Sequence, residues 1–182
     1  NDMQIREKIL NRLYMTTDGK EEFNAEEVAN HIAFAKGVKE YDLKRIISFH
    51  STIARSKEFA QQHKKILEWL SDDYCPSGEI ICDHINGSMS INQRNAVISQ
   101  LKTKDLTKRT IVTNAKCLTE GVDIPCLDGI AFMDPKSSFV DIIQAIGRVI
   151  RLDKSNKNKI GTIFVPILID DIDLIDEEIF IE

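Results

Sequence analysis

The sequence lacks the features that mark membrane, secreted and zinc-binding proteins. No apolar run approaches the ~20 residues that a membrane-spanning helix needs. The start shows no basic segment followed by an apolar one, as a signal peptide would. The four cysteines form no CxxC pair and have no histidine at zinc-ligand spacing. We therefore expect no membrane segment and no metal site in this chain, and a reducing, cytoplasmic compartment fits best.

Acidic residues outnumber basic ones, which taken alone argues against a nucleic-acid partner. The chain has 29 Asp and Glu against 24 Lys and Arg. Seven of the acidic residues lie between Asp170 and Glu182, a stretch without a basic residue, so the 22 others nearly balance the positive charge. Because a groove on a neutral domain can still be basic, composition neither supports nor excludes nucleic acid.

What the sequence does contain is an alternation of short apolar strands and amphipathic helices. Its 182 residues and 42% hydrophobic content suffice for one compact domain plus an appendage. Five strands are predicted, at Arg45–Phe49, Glu79–Cys82, Arg109–Thr113, Gly129–Met133 and Lys159–Pro166. The intervening helices are predicted from Ser51 or Thr52 to about Leu70, from a capping box at Ser90 and Gln93 to about Leu101, and from Ser138 to about Arg151. This order predicts an α/β fold, a parallel sheet with helices on both faces and ligands at the carboxyl ends of its strands.

The last of these helices carries the most chemistry. Its apolar stripe, which should lie on the sheet, consists of Ile142, Ile143, Ile146, Val149 and Ile150. A second stripe, on roughly the opposite face, consists of Gln144, Gly147, Arg148 and Arg151. Arginine's planar fork suits phosphate oxygens, and glycine leaves room for a close approach. An ordinary solvated helix face is the other interpretation, and spacing alone does not decide between the two.

The string from Gln144 to Arg151 resembles motif VI of superfamily-two helicases, and the resemblance implies a RecA-like second motor domain. In that family the arginines approach the γ-phosphate of ATP held by the other motor domain. The resemblance implies that Arg151 is an arginine finger, that Arg148 is a second γ-phosphate contact and that Gln144 positions the pair. These three are the candidate catalytic residues.

A second string follows the strand at Arg109–Thr113 and ends in Glu-Gly-Val-Asp-Ile-Pro. It resembles motif V of the same family, closest in character to type III restriction motors and DEAD/DEAH-type helicases. The resemblance implies that Gly121 and Asp123 bind the nucleotide, since a carboxylate can accept both ribose hydroxyls. On the nucleic-acid side it implies contacts from Thr113, Asn114 and Lys116, which bind phosphates without reading sequence. A turn punctuated by Gly121 and Pro125 is the structural alternative.

Two weaker motifs complete the set of candidate residues. The stretch from Arg45 to Ser51 resembles motif IV, which implies that His50 and Ser51 contact the nucleic-acid backbone. A helix cap for Ser51 and a surface histidine for His50 are the alternatives. The turn at Asn86-Gly87-Ser88 resembles the family's next element, and Gly87 is a candidate phosphate contact.

Two motifs of such motors are missing from the chain. It has neither a GxxxxGK[ST] phosphate loop nor an Asp-Glu-x-His or Asp-Glu-x-Asp magnesium motif. We therefore expect ATP and most of the Mg²⁺ ligands to be held by an upstream domain outside this chain. The chain should not hydrolyse ATP alone, and Arg148 and Arg151 should stay exposed and unengaged until that domain supplies a triphosphate.

The resemblance spans about Lys44 to Pro166 and predicts three parts of the chain. Residues 1–43 are expected to be a helical lead-in from the upstream motor domain, 44–168 the RecA-like domain and 169–182 an acidic tail. In the lead-in we expect one helix through Ile5, Ile9 and Leu13, and another capped by Asn24 and buried through Val28, Ile32 and Ala35.

The predicted function is that of the second motor domain of an ATP-dependent helicase or translocase with a nucleic-acid partner, DNA rather than RNA. One alternative is a non-catalytic nucleic-acid-binding or scaffold module of a restriction or repair complex. A free-standing Rossmann-like dehydrogenase is the other, but it needs a glycine-rich turn after the first strand, and none follows Phe49.

Overall fold

The computed structural model describes residues 13–15, 22–68, 70, 72–103, 105–115, 124–134, 138–151 and 159–166. Within these ranges the chain forms seven strands and four helices. The strands are β1 (Leu13–Met15), β2 (Glu22–Asn24), β3 (Arg45–Phe49), β4 (Glu79–Ile85), β5 (Lys108–Asn114), β6 (Gly129–Phe132) and β7 (Thr162–Phe164). The helices are α1 (Ala25–Glu40), α2 (Ile53–Leu67), α3 (Ile91–Leu101) and α4 (Phe139–Val149).

Five of the strands form one parallel sheet in the order β4-β5-β3-β6-β7. Strand β3 lies in the middle and pairs with β5 on one side and β6 on the other. The chain builds the β4 and β5 side first and then crosses to β6 and β7. Such a reversal beside the central strand leaves a crevice at the carboxyl ends of the strands.

The sheet is the middle of three layers, because its side chains point alternately to two opposite faces. On one face, Phe49 and Val112 pack with Leu101 of α3 and Val149 of α4 in one buried cluster. The residues of the other face pack with α1 and α2 in a second cluster of Phe34, Val38, Leu43, Ile46, Phe59, Ile111, Ala131 and Met133. The predicted parallel sheet with helices on both faces is confirmed.

The predicted helix starts are confirmed by their caps. The Ser90 hydroxyl accepts a hydrogen bond from the Gln93 N–H at 3.3 Å, and Gln93 Oε1 accepts one from the Ser90 N–H at 3.0 Å, which completes the capping box. Thr52, not Ser51, caps α2. Strand β4 runs three residues beyond its predicted end at Cys82, because it pairs with β5 as far as Ile85.

The first predicted helix of the lead-in is wrong at Leu13, and its other residues, Ile5 and Ile9, lie outside the described residues. Leu13 belongs to β1, which pairs antiparallel with β2 so that Leu13 lies opposite Asn24. The sequence between the two strands contains Asp18-Gly19, a pair typical of hairpin turns, which the helical interpretation passed over.

The second predicted helix of the lead-in is confirmed as α1. Its residues Val28, Ile32 and Ala35 are buried, as predicted. However, Phe34 and Val38 of the same helix belong to the buried cluster on the sheet. Helix α1 is therefore one of the helices that cover the sheet, although it precedes the predicted domain start at residue 44.

In the ranges that the structure describes, no helix is long and apolar enough to cross a bilayer. In these ranges, too, no three His, Cys, Asp or Glu side chains lie together as metal ligands would. The described cysteines, Cys75, Cys82 and Cys126, are free thiols. Burial raises the pKa of the Cys82 thiol, which packs against the α1 and α2 side of the sheet.

A buried arginine fastens the amino-terminal edge of the sheet. Arg109, near the start of β5, is only 2% exposed. Its guanidinium donates to the carbonyl oxygens of Ser77 and Leu43 at 2.7 and 2.6 Å and to the Asp42 carboxylate at 2.7 Å. Because these partners lie in the segments that lead into β3 and β4, Arg109 joins three strands at one point.

Two buried histidines join α1 to α2. Nδ1 of His31 lies 2.9 Å from Nδ1 of His63, and both rings stack on Phe59. Burial lowers the pKa of His63 to about 3, and burial together with the neighbouring His63 lowers the pKa of His31. Both imidazoles are therefore neutral near pH 7, and one of them must donate its Nδ1 proton to the other.

We predict that Arg109→Lys lowers the free energy of unfolding by about 2–4 kcal/mol, because one ammonium group cannot replace the fork and leaves buried acceptors without donors. Urea unfolding of the chain at pH 7 measures the loss. Lys108→Met is the matched control, since the adjacent Lys108 pairs with Glu79 at the surface, and it should stay near wild type. Equal stabilities for the two variants would contradict the role given to Arg109.

We also predict that the chain loses stability as the pH falls below about 6.5. The unfolded histidines bind protons near that pH, whereas buried His63 does so only near its folded pKa of about 3, so the unfolded state holds more protons in between. Each such histidine contributes a slope of up to about 1.4 kcal/mol per pH unit. Urea unfolding between pH 7.5 and 5 measures the slope, which should be smaller in His63→Gln. The same slope in both proteins would contradict the assignment.

Candidate nucleotide and nucleic-acid site

The carboxyl ends of the sheet strands are aligned at one edge of the molecule. Phe49 of β3 lies opposite both Asn114 of β5 and Phe132 of β6, and Ile85 of β4 lies opposite Asn114. Adjacent strands in a sheet are about 4.8 Å apart, so the residues that follow these ends are close neighbours. This edge, which we call the carboxyl edge, brings together the motif IV end, the Gly87 turn and the start of motif V.

The motif IV residues occupy different environments at this edge. His50 is buried, its Nε2 lies 3.1 Å from the Ser48 hydroxyl and its ring contacts Phe59. Burial lowers the pKa of His50 to about 4, so it is neutral near pH 7 and is neither the surface histidine nor the exposed phosphate contact considered above. Ser51 is exposed, as a backbone contact requires.

Sequence reasoning missed Asp134, which lies two residues beyond the end of β6 and directly follows the predicted strand at Gly129–Met133. This buried carboxylate accepts a hydrogen bond from the Ser51 N–H at 2.7 Å and pairs with the Arg55 guanidinium at 2.9 Å. It therefore joins the ends of β3 and β6 to the first turn of α2. The signal was an acidic residue at the carboxyl end of a predicted strand, next to the topological reversal.

The structure places Thr113 and Asn114 differently from the prediction that they face nucleic acid. Both side chains are fully buried. The Thr113 hydroxyl donates to the Ser56 carbonyl at 2.7 Å and accepts from the Ser56 hydroxyl at 2.9 Å. The Asn114 amide donates to the Ser48 carbonyl at 3.0 Å. Both groups are therefore used within the domain, and α2 covers the face of β5 that bears Thr113.

The Gly87 turn is open to an approaching group. Asn86 Oδ1 accepts hydrogen bonds from the N–H and hydroxyl of Ser88, which shapes the turn. Gly87 is exposed, and a Cβ added there would meet no atom within 4 Å. The remaining motif V candidates, Lys116, Gly121 and Asp123, lie outside the described residues.

Helix α4 differs in part from its predicted amphipathic pattern. Ala145 and Val149 are buried and Ile142 and Ile146 pack against the core, whereas Ile143 and Ile150 are 52% and 63% exposed. At 100° per residue, these two isoleucines lie too far round the helix from the centre of the buried face, so their assignment to the sheet-facing stripe was wrong. The apolar surface of α4 therefore extends beyond the face that the sheet covers.

The polar stripe of α4 is presented outward. Gln144 and Arg151 are exposed, Arg148 is half-buried, and a Cβ on Gly147 would meet no atom within 4 Å. Both arginines nevertheless make interactions within the chain, so the expectation that they stay unengaged is not met. The set is accessible from outside the domain, with space beside Gly147.

The polar stripe and the carboxyl edge are separate surfaces. Helix α4 starts after Ser138 at the carboxyl edge and runs back towards the start of β7, which pairs beside Gly129 at the opposite end of β6. At 1.5 Å per residue, Arg148 lies about 15 Å along the helix from Ser138. The structure thus groups Ser51 with Gly87 on one surface and Gln144 with the two arginines on another.

Comparison with solved structures gives the same fold. The chain superimposes on the ATP-dependent type ISP restriction-modification enzyme LlaBIII bound to DNA with a TM-score of 0.69 and 31% identity, over 80% of this chain and 10% of that one. Domain 2 of the DEAD-box helicase Mss116p bound to an RNA duplex gives a TM-score of 0.53 and 22% identity, over 76% of this chain and 50% of that one. A fragment of a putative HsdR subunit of a type I restriction enzyme from Vibrio vulnificus YJ016 gives a TM-score of 0.58 and 20% identity, over 76% of this chain and 27% of that one. The RecA-like fold is confirmed, and these restriction enzymes are of types ISP and I, where the sequence suggested type III.

Comparison of the sequence with protein families gives one assignment. No curated protein matches the chain. The chain spans a tenth of LlaBIII and half of the Mss116p chain. Residues 26–153 match the helicase conserved C-terminal domain, a stretch that includes all of α1 except its first residue and every motif discussed above. The chain therefore belongs to the helicase conserved C-terminal domain family of the superfamily-two helicases.

Proposed function

We propose that this chain is the second motor domain of an ATP-dependent DNA helicase or translocase and supplies an arginine finger across a domain interface. The observation that carries the proposal is the stripe of Gln144, Gly147 and half-buried Arg148 on α4, continued by exposed Arg151 just beyond the helix end, with open space beside the glycine. Such a stripe in a helicase C-terminal domain suits a triphosphate that approaches from outside.

The nucleotide side of the proposed site consists of two groups of residues. Arg148 and Arg151 face the γ-phosphate, where arginine stabilises the charge of the phosphoryl-transfer transition state. Gln144, one turn before Arg148, positions that pair. Gly121 and Asp123 contact the nucleotide, with the Asp123 carboxylate on the ribose. ATP and most of the Mg²⁺ coordination belong to the upstream RecA-like domain, because the chain contains no phosphate loop.

The nucleic-acid side of the proposed site is the carboxyl edge. Ser51 and Gly87 are exposed there and can approach backbone phosphates, and Lys116 adds positive charge. The buried side chains of His50, Thr113 and Asn114 hold this edge in shape through their hydrogen bonds within the domain. DNA is the proposed substrate, because LlaBIII, at 31% identity, was solved bound to DNA.

Two separate surfaces explain how hydrolysis can drive movement along a strand. ATP draws the upstream domain onto the α4 stripe, and loss of the γ-phosphate releases it. The carboxyl edge meanwhile holds the nucleic-acid strand on the same domain. Each cycle of closure and opening therefore shifts the contact with the nucleic acid. The proposed compartment is the cytoplasm, where reducing conditions keep cysteines as free thiols.

We predict that Arg151→Ala in the full-length protein lowers nucleic-acid-stimulated ATP turnover by roughly 10³-fold while ATP binding is largely kept, because the finger acts on the transition state. Steady-state hydrolysis and nucleotide titration measure the two effects. The control is Lys64→Ala, which removes a positive charge from the exposed surface of α2. Turnover by the isolated chain, or undiminished turnover by Arg151→Ala, would contradict the proposal.

We predict opposite effects of Gly147→Ala on stability and on function. In the chain alone it should raise the free energy of unfolding by up to about 1 kcal/mol, because alanine favours a helix and its Cβ meets nothing. In the full-length protein the same methyl group should hinder the approaching domain and lower stimulated hydrolysis. Asn95→Ala, at an exposed position of α3, tests whether stabilisation alone lowers activity. Unimpaired hydrolysis in Gly147→Ala would show that the space beside Gly147 is not an interface.

A further inference from the structure

Lys159 connects two motifs that are far apart in the sequence. Its ammonium group donates to the carbonyl oxygen of Pro125 at 2.7 Å and to that of Arg151 at 2.8 Å. Pro125 is the last residue of the motif V string, and Arg151 is the last residue of the motif VI string. Lys159 itself is half-buried and belongs to neither motif.

The Pro125 end of this connection is fixed to the core. Pro125 lies in a turn closed by a hydrogen bond from the Leu127 N–H to the Ile124 carbonyl at 3.1 Å. Ile124 and Leu127 are buried in the same cluster as Val149 of α4. The Pro125 carbonyl oxygen is therefore an acceptor fixed to the core, and it fixes the position of the Lys159 ammonium group that donates to it.

The Arg151 end lies just beyond the last turn of α4. Ile150 is the C-cap residue, and the Arg151 N–H reaches the Arg148 carbonyl only at 3.4 Å, a long hydrogen bond. The last carbonyl groups of a helix have no partners within it and carry partial negative charge, so a cation there is stabilising. Lys159 supplies that cation to the residue whose guanidinium is the proposed finger.

Gly161 allows the chain to return to this point. A Cβ at position 161 would lie 2.7 Å from the Val149 carbonyl oxygen, closer than side chains approach. The missing side chain lets the backbone pass directly against the end of α4. Lys159, two residues earlier, can therefore reach across to both carbonyl groups.

We propose that Lys159 is a positioning residue for the arginine finger. By holding the backbone of Arg151 to the stationary turn at Pro125, it fixes where the Arg151 guanidinium enters the interface with the other motor domain. This role rests on the proposed function, since it requires that Arg151 act on the triphosphate. Lys159 touches neither ATP nor nucleic acid, and it acts only through Arg151.

The test uses Lys159→Met in the full-length protein, with Lys159→Arg as the conservative variant and Lys64→Met as the control. Lys159→Met should lower kcat for stimulated ATP hydrolysis by roughly ten- to a hundredfold, with KM for ATP little changed, because a misplaced group costs about that much. Lys159→Arg should restore part of the loss. In the Arg151→Ala background, Lys159→Met should have no further effect on kcat, because the group that it positions is gone.

The outcomes separate this inference from the proposed function. If Arg151→Ala lowers kcat but Lys159→Met does not, or if the two losses multiply, the positioning role is wrong and the motor proposal stands. If Arg151→Ala leaves kcat unchanged, both fail. Urea unfolding of each variant distinguishes a structural effect, since a loss of stability with unchanged kcat at a temperature where the protein is folded would also overturn the positioning role.

Discussion

The pairing of β3 on both of its sides is the constraint on which the rest of the structure depends. With β5 on one side and β6 on the other, β3 forces the ends of these strands to the same edge. The residues that follow them, His50, Ala115 and Met133, become neighbours although they are widely separated in the sequence. The His50 N–H donates to the Asn114 carbonyl and the Met133 N–H to the Phe49 carbonyl, which extends the sheet ladder into the loops.

Buried polar side chains then make this edge rigid. Ser48, His50, Ser56, Thr113 and Asn114 are all buried, and each makes at least one hydrogen bond to another of them. Asp134 adds a carboxylate that holds the Ser51 N–H and the Arg55 guanidinium. A buried polar network whose partners are satisfied specifies one arrangement, since any shift leaves a donor or acceptor unpaired. Exposed Ser51 is held to this network through its N–H, which donates to Asp134.

Local signals in the sequence predicted the elements, and long-range packing decided how the site residues are used. Ser90 with Gln93 and Ser138 with Asp141 are caps whose partners lie three residues away, so reading the chain suffices. Thr113 and His50 are oriented by α2, which covers their face of the sheet, and no pattern within either motif reports that cover. Ile150 shows the same limit, because the width of the buried face of α4 depends on what packs against it.

The position of α1 in the chain has a consequence for how the domain folds. Phe34 of α1 packs edge-on against Phe164 of β7 at 5.7 Å between ring centroids, a contact between the first helix and the last strand that the structure describes. During synthesis α1 therefore emerges long before the strand that completes its apolar surroundings. Contacts between distant parts of a chain form late, because a long loop must close before they contribute. The two ends of the domain consequently have to fold together, and this layer of the core closes only once β7 has been made.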